Sequence, residues 1–283
     1  MSSSNDLFSI AYNIRTKKDE TSGGTMATSI VIDAGHGGYD NGAVYEGRRE
    51  KDEVLRLALA VGEKLSQGGY EIFFTRTTDE YASPYEKAQT ANATGADYFI
   101  SLHRNSAPNP NTYHGVQTLV YQENQVVDSI ANAVNRQLAD VGFENLGIDE
   151  RPGLVVLRRT EMPATLVEVG FINSDEDNRI FDQNFDEIVN AIAAGIGEGI
   201  GEGVGDGQGR SVSKYGVQVG VFQYYANAQY LLGQLQDMGY MAQARQEGTY
   251  YIVIVGSETS LEEAVELQAG LRELGYETLI VNL

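Results

Sequence analysis

Four side chains that could build a catalytic metal site are spread along the first two thirds of the chain. They are His36 in Asp-Ala-Gly-His-Gly-Gly, Glu50, His103 in Ser-Leu-His-Arg-Asn, and Glu168 in Leu-Val-Glu-Val-Gly-Phe. Two neutral imidazoles and one carboxylate form the three-ligand set of a catalytic zinc, which leaves a fourth position for water. A second carboxylate could accept a proton from that water. The residue types therefore predict metal-assisted hydrolysis.

Each of these residues also has an interpretation that involves no catalysis. A histidine is more often a hydrogen-bonded structural residue than a ligand. His114 is a rival third ligand, but it precedes a strand and is expected at the opposite end of the sheet, as a surface residue. Glu50 could be a first-turn acid favoured by the helix dipole, although its spacing from Val54 and Leu57 places it on the buried stripe of its helix. Glu168 lies in an apolar run, where a purely structural carboxylate would need a partner.

The elements that must position these side chains are strands in alternation with helices. Runs rich in Ile, Val, Phe and Tyr predict strands over residues 29–34, 71–75, 97–102, 115–121 and 164–169. Apolar spacings of three and four residues predict helices over residues 50–66, 85–94, 126–141 and 185–199. This alternation is typical of an α/β fold with a mostly parallel sheet and helices on both faces. The four candidate residues would then converge at the carboxyl edge of the sheet.

Composition and charge restrict the partners. Forty acidic residues against twenty basic ones, with no cluster of Lys and Arg, exclude a nucleic-acid interface and disfavour acidic ligands. The absence of cysteine excludes disulfides and thiolate metal ligands. No apolar run is long enough to span a bilayer. Residues 1–27 are too polar for a signal peptide and are expected to be a disordered leader. We expect a monomer.

The order of the motifs resembles that of the zinc-dependent N-acetylmuramoyl-L-alanine amidases of bacterial cell walls. The resemblance runs over residues 29–197 and includes Thr75-Arg-Thr-Thr-Asp, Ala91-Asn and Met162-Pro-Ala-Thr in addition to the motifs above. It implies a catalytic domain over residues 28–200 with one zinc ion. In that domain His36, Glu50 and His103 would be the ligands and Glu168 the catalytic carboxylate.

The same resemblance implies substrate contacts. Arg76, Asn105 and Arg151 match family positions, although surface or structural salt bridges would equally explain the two arginines. Lys87 departs from the family pattern, because an arginine usually stands at that position. This departure does not fall on any of the four metal-site positions. The approach to Glu168 is short and lacks a long inserted helix, which predicts an open groove.

The C-terminal part of the chain has a different organisation. Glycine recurs through residues 201–214, which predicts a flexible linker. Residues 215–283 contain a repeat with a period of 36 residues, and each copy has the pattern strand, helix, strand. Two such units predict a small ferredoxin-like α+β domain with four strands and two helices. This tail resembles the SPOR domain, a module that binds peptidoglycan glycan strands stripped of their stem peptides.

Strand alternation predicts which face of the tail sheet meets a ligand. Three valines, among them Val221, are expected beneath the helices, which leaves Gln218, Phe222 and Tyr250 on the open face. Gln218 matches a glutamine that the SPOR family uses on its glycan-facing strand. Amide and aromatic groups suit a sugar, and an oligomer contact on the same surface is the alternative.

These features predict a zinc hydrolase that cleaves the amide between N-acetylmuramic acid and the L-alanine of the stem peptide. Two alternatives remain at this point. One is another zinc enzyme, an aminopeptidase or a sugar deacetylase, and the other is a wall-anchoring protein with an idle catalytic domain. The expected site of action is the cell wall. The combination of domains resembles the mother-cell-lysis amidases of spore formers, which would be released at lysis, and a phage lysin is the competing source.

Overall fold

A computed structural model describes residues 27–201, 214–247 and 249–283. These residues form two compact units, one made mainly of residues before the glycine-rich segment and the other mainly of residues after it, and each unit has its own main sheet. Nearly all of the predicted leader and the interior of the predicted linker, residues 202–213, lie outside the described residues. Within the described part of the chain, no helix is long and apolar enough to cross a membrane.

The first unit contains eight of the described strands and six of the described helices. The strands are β1 (Ser29–Ala34), β2 (Val44–Tyr45), β3 (Arg48–Arg49), β4 (Glu71–Phe74), β5 (Tyr98–Asn105), β6 (Val116–Val120), β7 (Asn145–Glu150) and β8 (Ala164–Phe171). The helices are α1 (Glu50–Gln67), α2 (Pro84–Thr94), α3 (Gln125–Val141), α4 (Val155–Arg159), α5 (Asp175–Gln183) and α6 (Phe185–Ile200). All five predicted strands and all four predicted helices are present, with bounds shifted by a few residues.

The central sheet is mostly parallel, as predicted. Its strand order is β4-β1-β5-β8-β6-β7, and β4, β1, β5 and β8 run in parallel. Strand β6 is antiparallel to β8, and β7 is parallel to β6. The reversal follows from the connection between β5 and β6, which contains no helix to carry the chain back to the amino edge, so β6 begins at the edge where β5 ends. The start of β6 therefore lies at the same edge as the end of β8.

Helix α1 covers the sheet with the stripe that the sequence predicts. Its residues Val54, Leu57, Ala58, Val61 and Leu65 are all completely buried. Burial of this stripe fixes the rotation of the helix about its axis. The same rotation turns Glu50, the first residue of α1, inward, and its side chain is buried as well.

Glycines in α6 allow this helix to approach α3 closely. A Cβ atom at Gly195 would lie 2.5 Å from the Cα of Val134, and one at Gly199 would overlap the backbone at Ile130. The glycine-rich composition that predicts a linker therefore begins inside a packed helix. In α6 the missing side chains serve helix packing and not flexibility.

The tail unit is a four-stranded antiparallel sheet. Strands β9 (Tyr215–Phe222), β10 (Ala242–Glu247), β11 (Tyr250–Glu258) and β12 (Leu279–Asn282) are ordered β10-β11-β9-β12. Helices α7 (Tyr225–Asp237) and α8 (Leu261–Glu273) complete two strand-helix-strand units. The order and the connections are those of the predicted ferredoxin-like domain.

A bulge in β9 corrects the expected faces of two tail residues. Gly220 is opposite Val253, but Gln218 is opposite the next residue of β11, Ile254, so β9 contains one extra residue. Beyond the bulge the alternation is reversed. Phe222 packs against the helix-side core, whereas Val221 lies with Ile254 on the other face. The prediction was wrong for both residues, because simple alternation assumes an unbroken ladder.

The other two predicted tail residues lie on the face opposite the helices. Tyr250 packs beside Ile254 and is half-buried. Gln218 is directly opposite Ile254 and shares its face, but only 3% of its surface is exposed.

Close packing of α6 on α3 predicts opposite effects for two glycine-to-alanine substitutions. Alanine normally stabilises a helix by about 1 kcal/mol relative to glycine. At Gly195 the new methyl group would strike Val134, and we expect Gly195→Ala to lower the free energy of unfolding by about 1–3 kcal/mol. At Gly233 of α7 the new methyl group would enter open space, so Gly233→Ala should be neutral or stabilising. Urea unfolding measures both, and a stabilised Gly195→Ala protein would contradict the packing argument.

Candidate active site

The three predicted metal ligands lie together at the carboxyl edge of the sheet. His36 follows β1, Glu50 begins α1, and His103 belongs to β5, the parallel neighbour of β1. One potential ligand atom from each residue lies within 4.8 Å of the others. Glu50 places Oε2 3.1 Å from Nε2 of His36 and Oε1 2.8 Å from Nδ1 of His103. Residues that are remote in the sequence thus present two nitrogens and a carboxylate to one point.

Glu50 is held in its ionised form. Burial alone would raise the pKa of its carboxyl group, but hydrogen bonds and charge interactions with His103 and His36 outweigh burial and lower the pKa well below its ordinary value. The backbone N–H of Ala43 donates a further hydrogen bond to Oε2 at 2.9 Å. An ionised carboxylate is the form that binds a cation.

Glycines make room for the two imidazoles. A Cβ atom at Gly35 would overlap the ring of His103, and one at Gly42 would lie 2.6 Å from the ring of His36. His36 itself has a positive φ of 57°, which is uncommon for a residue with a side chain. Glycine is therefore required beside both histidines because the backbone approaches their imidazole rings closely, and not only because the chain turns there.

Asp40 orients His36 and was not predicted. Its Oδ2 lies 2.9 Å from Nδ1 of His36, which leaves Nε2 directed at Glu50. A carboxylate on the second nitrogen is the usual way in which proteins fix the tautomer of a metal-binding histidine. The signal was available in the sequence as an aspartate four residues after the histidine, but it lay in a glycine-rich loop whose path could not be inferred.

Glu168 lies beside the ligand set on the adjacent strand. It belongs to β8 and is directly opposite His103 of β5 in the parallel ladder. Its Oε2 is inaccessible to solvent and has no hydrogen-bond partner among the described residues. Burial raises the pKa of its carboxyl group to about 7, against smaller opposing effects from the nearby histidines. A pKa in this range suits a group that exchanges a proton at neutral pH.

Two further sequence candidates lie away from the ligands. His114 was expected at the opposite end of the sheet, but the reversal of β6 brings it to the catalytic edge. It is exposed there and pairs with Glu144 at 2.9 Å, outside the ligand set. Arg151 follows β7, whose last residue is level with the amino end of β8, and its exposed side chain pairs with Asp149 at 2.7 Å. The structure does not bring Arg151 to the metal ligands.

Asn105 remains close to the site. It lies two residues after His103 at the end of β5, and its backbone carbonyl accepts a hydrogen bond from Ile172. Its side-chain Oδ1 accepts a hydrogen bond from the N–H of Ser106 at 2.8 Å. The side chain is half-buried, and a role in substrate binding stays a prediction.

Comparison with known proteins identifies the family. The Amidase_3 description, N-acetylmuramoyl-L-alanine amidase, matches residues 30–199. The chain belongs to this family. A second family, the SPOR domain, matches residues 211–282. The first match covers most of the first unit, with His36, Glu50, His103 and Glu168, and the second covers most of the tail unit.

Individual relatives agree with this assignment. The crystal structure of an N-acetylmuramoyl-L-alanine amidase from Clostridium difficile 630 is 32% identical, with a TM-score of 0.58, and the match covers 61% of this chain and 96% of that one. A sporulation-specific N-acetylmuramoyl-L-alanine amidase of Bacillus subtilis strain 168 is 31% identical over 75% of this chain and 82% of its own length. An endolysin of Bacillus phage SPP1 is 36% identical over 53% of this chain, and this match spans 58% of the endolysin.

Arg76 of the amidase domain supports the loop that carries His36, and the structure corrects its predicted role as a substrate contact. The side chain is buried, with only 3% of its surface exposed. Its guanidinium donates hydrogen bonds to the backbone carbonyls of Ala34, Gly35, Lys51 and Thr78 at 2.7–3.1 Å. Nε and Nη2 are thus directed at the backbone just before His36 and just after Glu50, and Nη1 is directed at the carbonyl of Thr78.

A buried ion pair lies beneath the same loop. Lys87 places Nζ 3.0 Å from Oδ1 of Asp33 and donates a hydrogen bond to the carbonyl of Ala34. The hydroxyls of Ser101 and Thr75 donate to the two oxygens of Asp33. Burial would raise the pKa of Asp33, but the Lys87 ammonium and these hydroxyls lower it to about 2. The lysine that departs from the family pattern thus supports the backbone just before His36.

The buried pair predicts a non-additive double-mutant cycle. Asp33→Asn leaves the Lys87 ammonium buried without its counter-charge. Lys87→Met likewise leaves the Asp33 carboxylate buried without a cation beside it. Each single variant should lose about 3–5 kcal/mol of unfolding free energy. The double variant should lose clearly less than the sum, because neither charge is then left uncompensated. Additive losses in urea unfolding would show that the two side chains do not depend on each other.

Proposed function

We propose that the amidase domain hydrolyses the amide between the lactyl group of N-acetylmuramic acid and the L-alanine of the stem peptide. One observation carries this proposal: Glu168, whose Oε2 is inaccessible to solvent and has no hydrogen-bond partner among the described residues, lies directly opposite His103, one of three converging candidate metal ligands. Family membership supports the choice of bond. An aminopeptidase or a deacetylase would use a similar ligand set but would release different products.

The donor set at this site fits zinc. His36 and His103 offer imidazole nitrogens and Glu50 offers a carboxylate oxygen, whereas magnesium and calcium prefer oxygen donors alone. Glu168 lies opposite His103, and its Oε2 has no hydrogen-bond partner among the described residues. When bound, zinc supplies Lewis acidity, which favours attack of water on an amide carbonyl. These three residues would hold the ion.

Glu168 moves the proton in the proposed reaction. Its carboxylate accepts a proton from the attacking water as the new C–O bond forms at the lactyl carbonyl carbon. The C–N bond then breaks, and the same carboxyl group gives the proton to the leaving amine of L-alanine. Burial supports both steps, because it holds the pKa near 7 and makes the two protonation states similar in free energy.

We also propose that the tail binds glycan strands and acts as a tether. The SPOR match supports the ligand, and Tyr250 remains a candidate contact on the face opposite the helices, whereas Gln218 lies on that face but is only 3% exposed. Phe222 is withdrawn from this set, because it packs on the helix side of the sheet. A tether raises the local concentration of the amidase domain on the wall without altering its chemistry. The chain would act at the cell wall, as a monomer.

Variants of Glu168 and of the ligands should have separable effects. Glu168→Ala should keep one zinc per chain but lose about 10²- to 10⁴-fold in the rate of peptide release from purified sacculi, because only the proton transfer is removed. Glu50→Ala and His103→Ala should lose the zinc itself, which elemental analysis measures directly. Mass spectrometry of the wild-type products should show intact stem peptides and a still acetylated, uncut glycan. Full activity in Glu168→Ala, or deacetylated sugars, would overturn the assignment.

The tether predicts a difference between substrates. Removal of residues 215–283 should reduce hydrolysis of intact sacculi by at least about tenfold, because the gain from tethering is lost. Hydrolysis of small soluble muropeptides should be unchanged within about twofold. Equal losses on both substrates would mean that the tail supports the amidase fold, and the tether would have to be abandoned.

A further inference from the structure

We infer that Tyr39 and Tyr81 form a sugar-binding platform beside the metal ligands. Their rings are stacked, with centroids 4.2 Å apart and planes inclined by 27°. Tyr39 is 78% exposed and Tyr81 is 39% exposed. Because the two rings cover each other on one side only, the outer face of Tyr39 is open to a ligand. We call these two residues the tyrosine pair.

The tyrosine pair is held in place by the backbone beneath it. Gly38 packs so closely on Tyr81 that a Cβ atom at Gly38 would lie 2.8 Å from the backbone nitrogen of Tyr81. Asp79 accepts a hydrogen bond from the N–H of Gly38 at 2.8 Å. The buried ammonium of Lys51 donates to the carbonyl of Gly38 at 2.6 Å and to Asp79 at 2.7 Å. These hydrogen bonds join the two loops that carry the tyrosine pair. The loops are therefore already ordered, and they lose little conformational entropy when a ligand binds.

The platform adjoins the ligand set through two short connections. Tyr39 is followed by Asp40, whose carboxylate orients His36. Lys51, which joins the two loops, directly follows Glu50. A group that stacks on Tyr39 therefore lies at the rim of the site and does not touch the reacting atoms. The tyrosine pair is a binding element and not a catalytic one.

The surroundings of the tyrosine pair favour a neutral ligand with an apolar face. Asp40 and Glu86 both act electrostatically on Tyr39, and their carboxylates would repel an anion. Asp79 beneath the pair does not add to this repulsion, because it is paired with the ammonium of Lys51. An exposed aromatic ring binds an apolar surface while its hydroxyl stays in water. The C–H face of a pyranose ring meets both requirements.

The substrate of the proposed function contains such a group, and the platform rests on that function. The carboxyl group of N-acetylmuramic acid is consumed in the amide bond, so the saccharide carries no charge where it bears a peptide. Stacking of this sugar, or of its neighbour in the glycan strand, on Tyr39 would orient the lactyl amide over the ligands. The platform would therefore make the enzyme prefer amides that are attached to a glycan.

Two soluble substrates with the same stem peptide test the platform in the zinc-loaded full-length protein. One carries the peptide on the lactyl group of a disaccharide, and the other carries it on a lactyl group without sugar. Tyr39→Ala should lower kcat/KM on the disaccharide substrate by about tenfold, which corresponds to about 1.4 kcal/mol. It should leave the sugar-free substrate unchanged within about twofold. Tyr39→Phe keeps the ring and should retain the wild-type values.

A matched control and an inhibitor complete the experiment. Tyr121 is also exposed in the amidase domain, but it follows β6 and lies toward the amino end of β8, so Tyr121→Ala should change neither rate. A neutral disaccharide that lacks both the lactyl group and the peptide should inhibit the wild-type enzyme competitively, with a Ki about tenfold higher for Tyr39→Ala. Zinc content should stay at one ion per chain in every variant.

The possible outcomes separate the platform from the proposed function. Equal losses on both substrates, or an unchanged Ki together with full activity on the disaccharide, would overturn the platform and leave the amidase assignment intact. Failure of the wild-type zinc-loaded protein to cleave either substrate would overturn the proposed function and the platform with it.

Discussion

The structure depends on the requirement that one carboxylate and two imidazoles from three separate elements meet at a single point. Glu50 satisfies this requirement because the buried stripe of α1 fixes the rotation of that helix and turns its first residue inward. His36 and His103 satisfy it because β1 and β5 are parallel neighbours whose carboxyl ends share one edge. A shift of either strand by one residue would send its side chains to the other face of the sheet.

The polar groups buried around this point serve to keep its backbone fixed. Arg76 directs its guanidinium at carbonyl oxygens of the loop before His36, and Lys87 directs its ammonium at the Asp33 carboxylate and the carbonyl of Ala34. Such an arrangement is costly unless every partner is present, since buried charges lose their hydration. The site thus uses buried charge to set the position of its ligands. Glu168, in contrast, has a buried oxygen without a partner among the described residues, and it is the group proposed to carry a proton.

Sequence predicted the sheet and the convergence of His36, Glu50 and His103 because both depend on local patterns. Apolar runs mark strands, and motifs at the ends of strands mark the edge where chemistry occurs. Features that depend on contacts between remote segments were missed or misplaced. The pairing of Asp40 with His36 requires the path of a glycine loop, and the burial of Arg76 requires knowledge of which carbonyls surround it. The bulge that turns Phe222 toward the helices leaves no clear mark in the composition of β9.

Anomalous diffraction from crystals of the zinc-loaded protein, recorded at the zinc absorption edge, tests the central claim most directly. One strong peak per chain is expected, about 2.0–2.2 Å from a nitrogen of His36, a nitrogen of His103 and an oxygen of Glu50. Glu168 should lie beside the ion without binding it. A peak at another site, such as His114 and Glu144, or a peak that includes Glu168 in place of Glu50, would contradict the account.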